Sequence, residues 1–177
     1  MVIYKVPDPT KEPGDKIAAE KIEFRYPDQK EFPPETKDLK YDAEALFYKS
    51  DHLYVITKNR ARPYKGDAQI YRVPARKGKH EAQLIGTFDL CQDAALCSVT
   101  AAAISPDARK LILLGYGKIW VISGFKDDQF ASGKIITIDH GATTQLEAVC
   151  FMNDSTLLLS DERTHGAGRN LYSFKLQ

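Results

Sequence analysis

The sequence predicts an all-β protein: a run of antiparallel four-stranded units stacked like the blades of a β-propeller. Two observations carry this. Similar apolar segments recur in one fixed order, and the recurrences lie roughly 45 to 60 residues apart, the length of a unit holding four short strands. The segments are also strand-sized, rich in β-branched and aromatic residues, and cut by Pro, Gly and Asp, which argues against helices.

In chain order, Val2-Ile-Tyr-Lys-Val-Pro matches Gln69-Ile-Tyr-Arg-Val-Pro and reads as the third strand of a unit, with residues 21–26 as the fourth. Three first strands follow: Asp42-Ala-Glu-Ala-Leu-Phe-Tyr, Thr100-Ala-Ala-Ala-Ile-Ser-Pro and Gln145-Leu-Glu-Ala-Val-Cys-Phe. Behind each stands a turn centred on Asp51, Asp107 or Asp154, whose carboxylate suits a backbone N–H within the turn. Second strands come next: Leu53-Tyr-Val-Ile-Thr, Leu111-Ile-Leu-Leu and Leu157-Leu-Leu-Ser. Third strands carry an aromatic at their second position, as in Ile70-Tyr-Arg-Val, Ile119-Trp-Val-Ile and Leu171-Tyr-Ser-Phe. Fourth strands close two units, at residues 83–90 and 134–139. Only residues 15–20 have a turn of helix-like composition.

The units divide the chain at residues 1–40, 41–98, 99–141 and 142–177, all within one partial propeller. A lone meander cannot bury both of its faces, so apolar residues on both sides of the inner strands imply neighbours stacked on each face. Leu46, Val55, Ile104, Leu113, Val149 and Leu158, on the two inner strands, are therefore expected to be nearly fully buried, and Tyr71, Trp120 and Tyr172 to be equivalent. The tally of two complete units and two incomplete ones leaves sheet edges open. This predicts the carboxy-terminal portion of a longer propeller, or a ring completed by other copies of the chain.

Composition narrows function mainly by exclusion. The 177 residues hold 25 Lys plus Arg against 24 Asp plus Glu, a formal charge of +1, which gives no electrostatic reason to bind nucleic acid. The longest apolar runs fall far short of the ~18 residues that suggest a membrane span. The first residues lack the pattern of a signal peptide. Cys91 and Cys97 bracket a five-residue segment and either close a small loop or stand as two unpaired thiols; Cys150 lies in an apolar strand and reads as a small buried hydrophobe.

A resemblance enters at Ile3-Tyr-Lys-Val-Pro, Phe24-Arg-Tyr-Pro-Asp, Asp42-Ala-Glu-Ala-Leu, Leu53-Tyr-Val-Ile-Thr-Lys, Val99-Thr-Ala-Ala-Ala-Ile-Ser-Pro-Asp and Leu146-Glu-Ala-Val. Together these phrases resemble a bacterial family of uncharacterised, often exported propeller-like proteins, distantly similar to phytase-like or esterase-like propellers and to the NHL type. The resemblance covers nearly the whole chain and implies a periplasmic or extracellular protein. Family members carry further acidic segments before the equivalent of Val2, which this chain lacks.

In a propeller the inner strands line a channel, and the loops at its ends form the usual ligand face. Asp42, Glu44 and Glu147 start inner strands, so they are the candidate ligands for calcium or another hard cation. The alternative is that each carboxylate caps backbone groups or meets a Lys or Arg, and Ala102 at the matching place in the middle unit weakens the metal reading. The loops after the second strands place Lys58, Arg60, Arg62 and Arg163 on one ligand face. Asp161, Glu162 and His165 in the last of these loops are the candidate acid/base groups, against the reading of a solvated hairpin. No Gly-x-Ser-x-Gly, His-Glu-x-x-His, Cys-x-x-Cys or Gly-x-Gly-x-x-Gly is present, and the four histidines lack ligand spacing. Two functions remain: a non-enzymatic binding or scaffold propeller for a protein, glycan or small ligand, and a calcium-assisted hydrolase of phosphate or other esters.

Overall fold

The computed structural model describes residues 1–141, 144–164 and 166–176. The strands are β1 (Val2–Lys5), β2 (Glu20–Arg25), β3 (Asp42–Lys49), β4 (His52–Lys58), β5 (Asp67–Pro74), β6 (Gly78–Glu81), β7 (Gln83–Asp89), β8 (Val99–Ile104), β9 (Lys110–Gly115), β10 (Lys118–Ser123), β11 (Lys134–Asp139), β12 (Leu146–Asn153), β13 (Thr156–Asp161) and β14 (Leu171–Lys175). The one α-helix among the described residues, α1 (Ala94–Cys97), is a single turn in the loop before β8. Residues 15–20 form no helix.

The strands make four sheets, ordered β1-β2-β6, β3-β4-β5-β7, β8-β9-β10-β11 and β12-β13-β14. Pairing is antiparallel except between β2 and β6, which run parallel from Ile22 opposite Gly78 to Arg25 opposite Glu81. β6 is an excursion between β5 and β7 that leaves its own sheet to pair with the preceding one, held also by the Arg25–Glu81 ion pair at 2.6 Å. The repeat gave no sign of it.

Between second and third strands the register of the repeat holds, but the first strand of the middle unit is shifted by two residues from the expected alignment. Leu46 pairs with Val55, Ala102 with Leu113 and Val149 with Leu159, so Thr100, and not Ala102, stands at the irregularity that Glu44 and Glu147 occupy in their strands. Tyr71 pairs with Val55, Trp120 with Leu113 and Tyr172 with Leu159. Each of these aromatics turns toward the preceding sheet. Tyr71 packs with Ile22 and Phe24, Trp120 with Phe47 and Ile56, and Tyr172 beside Ile112 and Leu114. Successive sheets thus lie face to face, and the first strands β3, β8 and β12 lie side by side.

Of the six residues expected in the core, Val55 and Leu113 are buried, Ile104, Val149 and Leu158 are half-buried, and Leu46 is 44% exposed. The reason is coverage. Leu46 shares a face with Val55, but the β1-β2-β6 sheet covers β4 and β5 and leaves β3 largely open. Leu158 and Cys150 pair on the face of the last sheet that points away from β8–β11, so Cys150 is an exposed free thiol and not a buried one.

Turn chemistry follows the expectation in one case of three. Asp107 accepts a hydrogen bond from the Arg109 N–H at 3.0 Å. Asp51 instead supplies a left-handed residue with φ of 60° and accepts from the Tyr48 hydroxyl. In the last turn Asn153 accepts from the Ser155 N–H, the part expected of Asp154.

Candidate functional site

β3 starts, β4 ends, β9 turns into β10, and β12 starts at the same end of the stacked sheets. The polar residues at these points therefore meet. Arg60, just beyond β4, donates to Asp42 Oδ2 at 2.6 Å and to Glu44 Oε1 at 3.1 Å. Lys58, the last residue of β4, is 6% exposed; its Nζ donates to the Tyr116 hydroxyl at 2.8 Å and stands 3.6 Å from Glu44 Oε1. It also lies 4.8 Å from the centre of the Tyr116 ring. An ammonium taken this far from water requires such partners.

Glu147 faces the same group from β12. Burial raises its carboxyl pKa, Lys58 opposes that shift, and the charges of Glu44 and Glu162 reinforce it. The three carboxylates proposed from sequence as cation ligands thus sit among two cationic side chains. Asp42 and Glu44 are paired with Arg60 and Lys58, and Glu147 lies in the field of Lys58. Among the described residues no group of three or more His, Cys, Asp or Glu is arranged to hold a metal ion.

Of the candidate acid/base groups, Asp161 and Glu162 lie within the described residues. Asp161, at the end of β13, accepts from the Asn170 N–H at 2.6 Å and from the Tyr172 hydroxyl at 2.8 Å. The backbone N–H of Asn170 and the side chain of Thr144 hold its carboxyl well below the usual range, so it stays ionised and fastens its own hairpin. Glu162 is exposed, and Arg163 is exposed with no ion pair among the described residues. His165 lies outside the described residues.

Beside the Lys58 group opens a cleft of about 1160 Å³ between the connection from β4 to β5 and the loop that leads into β8. Arg60, Arg62 and Tyr64 of the first, Gln92 and Asp93 of the second, and Tyr116 of the turn from β9 to β10 line it. The connection is held in shape by Asn59, whose side chain accepts from the Ala61 N–H and donates to Asp67. Backbone bonds from Arg60 to Leu39 and from Arg62 to Thr36 fix it from behind.

The opposite wall is closed by a disulfide between Cys91 and Cys97. Its fit depends on Gly66, which has φ of +76°, and where a Cβ would come within 2.2 Å of the Cys91 carbonyl oxygen. Gln92 donates to the Lys65 carbonyl and the Leu96 carbonyl accepts from the Gly117 N–H, tying the wall to both neighbouring sheets.

Sequence reasoning missed Tyr64, Tyr116 and the Cys91–Ser98 wall. A signal for Tyr116 existed. Its segment, Gly115-Tyr-Gly-Lys, stands in the middle unit at the place that the loops after Thr57 and Ser160 take in the other two.

Comparison with protein-family models finds no family that matches, and no curated protein matches the chain either. Among solved structures, the calcium structure of a Trichoderma reesei carbohydrate-active enzyme of family AA12 aligns with a TM-score of 0.42 at 12% identity. The alignment covers 79% of this chain, which spans 36% of that one.

Proposed function

We propose that the four sheets are successive blades of a β-propeller and that the chain is a binding module whose ligand face is the end holding Lys58, Arg60, Arg62, Tyr64 and Tyr116. Blade-like stacking is supported by the adjacency of β3, β8 and β12 and by the common orientation of Tyr71, Trp120 and Tyr172. The observation that carries the binding function is the buried Lys58, which takes up Glu44 and favours the charged form of Glu147 beside an open cleft. Calcium-assisted ester hydrolysis needs those carboxylates free to take a cation. Recognition needs a concave surface with a few fixed polar groups, as this end provides. The Cys91–Cys97 disulfide in the wall fits a periplasmic or extracellular setting, where such bonds persist.

The test is a fragment library screened by amide NMR on the whole chain. Shifts from bound fragments are expected to concentrate at residues 58–64 and 91–98. Fragments that bind only on the sheet faces, or turnover of phosphate or carboxylate esters that calcium stimulates, would overturn the proposal.

A further inference from the structure

The cleft has a charge pattern that narrows the ligand. Three cationic residues line it, Lys58, Arg60 and Arg62, against one acid, Asp93. The Asp93 carboxylate is already occupied, accepting from the Ala95 N–H at 2.9 Å. Lys58 and Arg60 are also committed, to Glu44 and Tyr116 and to Asp42 and Glu44. Arg62 differs. It is exposed and makes no ion pair among the described residues, yet its own backbone is pinned by the bond to Thr36.

A guanidinium on a fixed backbone at the mouth of a cleft offers paired N–H donors in one plane, the geometry that suits a carboxylate or a phosphate. Behind it Arg60 and Lys58 are balanced by Asp42 and Glu44, so the charge on an incoming anion falls to Arg62. The remaining lining is ring and small apolar surface, Tyr64 and Tyr116 with Ala61, Ala94 and Ala95. Small-molecule sites commonly occupy about 300–1,000 Å³. The cleft, at about 1160 Å³, has room for a body behind the charged head.

We infer that the cleft binds a small organic anion, its carboxylate or phosphate held by Arg62 and its body lying against Tyr64, Tyr116 and the Cys91–Ser98 wall. The inference rests on this end being the ligand face, and it adds the class of ligand. Because the wall is closed by the disulfide and the facing connection by Asn59, little ordering is left to occur on binding.

The experiment titrates benzoate, phenyl phosphate, inorganic phosphate and neutral benzyl alcohol into the whole oxidised chain, followed by amide and arginine side-chain NMR. Benzoate or phenyl phosphate is expected to shift Arg62 together with residues 91–98; which of the two binds more tightly separates a carboxylate from a phosphate head. Arg62→Gln is expected to weaken that binding about tenfold, the scale of one charge-assisted hydrogen bond. Arg76→Gln, in the exposed connection from β5 to β6 and outside the cleft, is expected to leave it unchanged. Equal binding by Arg62→Gln, or by benzyl alcohol, overturns the anion inference while leaving the binding face intact. Inorganic phosphate bound as tightly as phenyl phosphate overturns the organic body. Silence from all four probes overturns the inference, and only silence from the whole fragment library at these residues also removes the function proposed above.

Discussion

The β8–β11 sheet is covered on both faces, whereas the β12–β14 sheet is covered on one, although their second strands have nearly the same sequence. Leu111 to Leu114 are all fully buried; in the matching strand Leu157 and Leu159 are buried and Leu158 is only half so. Burial is thus a property of the neighbour as much as of the strand, and a repeat read from sequence predicts the order of strands without predicting coverage. The loops of the two sheets differ in the same sense. The turn after β9 sends Tyr116 across to Lys58 of the preceding sheet, while the loop after β13 folds on itself through Asp161, Asn170 and Tyr172.

The largest expected effect separates Ile112 from Leu158, which occupy equivalent places. Ile112→Ala should cost about 2 to 5 kcal/mol in urea unfolding, as for large-to-small changes in a closed core. Leu158→Ala should cost about 1 kcal/mol or less, its face being open to water. Equal costs would mean that the last sheet is covered in solution.

Lys58→Met tests the loop that crosses between sheets. It removes the partner of Glu44 and of the Tyr116 hydroxyl, and should cost about 1–3 kcal/mol, the scale of buried polar groups left without a partner. It should also raise the Glu147 carboxyl further above its ordinary 4.5, because the larger influence opposing burial is gone and only that of the Tyr116 side chain remains. A carboxyl with a raised pKa favours the fold most below its unfolded value, and that contribution is lost as pH rises through the folded one. The variant should therefore lose stability over a wider span of rising pH than the parent, read from carbon-detected titration of Glu147 alongside thermal midpoints.

Asp161→Asn tests the loop that closes on itself, with the opposite sign. The Asp161 carboxylate is held below its ordinary 3.8, so its contribution is full above that value and is lost as pH falls below it. The variant should have a lower thermal midpoint at neutral pH, and its difference from the parent should shrink on acidification below pH 3.8. A constant difference across that range would remove the charge from the explanation. The smallest effect is chemical: Cys150 should react with a maleimide in the folded protein without changing its stability.

Much of the fold was legible in the sequence because the repeat encodes pairing. The aromatic at the second position of each third strand marked Tyr71, Trp120 and Tyr172 as equivalent, and they pair with Val55, Leu113 and Leu159 at matching places. β6 was not legible, since Gly78-Lys-His-Glu has no apolar alternation and owes its place to a neighbouring sheet. For the site, charge type and position on the repeat brought Asp42, Glu44, Lys58, Arg60 and Glu147 to one end. Their pairing depended on Tyr116 and on side-chain reach across sheets, which no spacing in the chain records.

The central claim is that Lys58 and Arg60 make Glu44, Asp42 and Glu147 part of a recognition surface and not a cation centre. Calorimetric titration of calcium into the oxidised chain tests it most directly. The account predicts no saturable binding by the wild type. One-site calcium binding that Glu44→Gln and Glu147→Gln each abolish would contradict it.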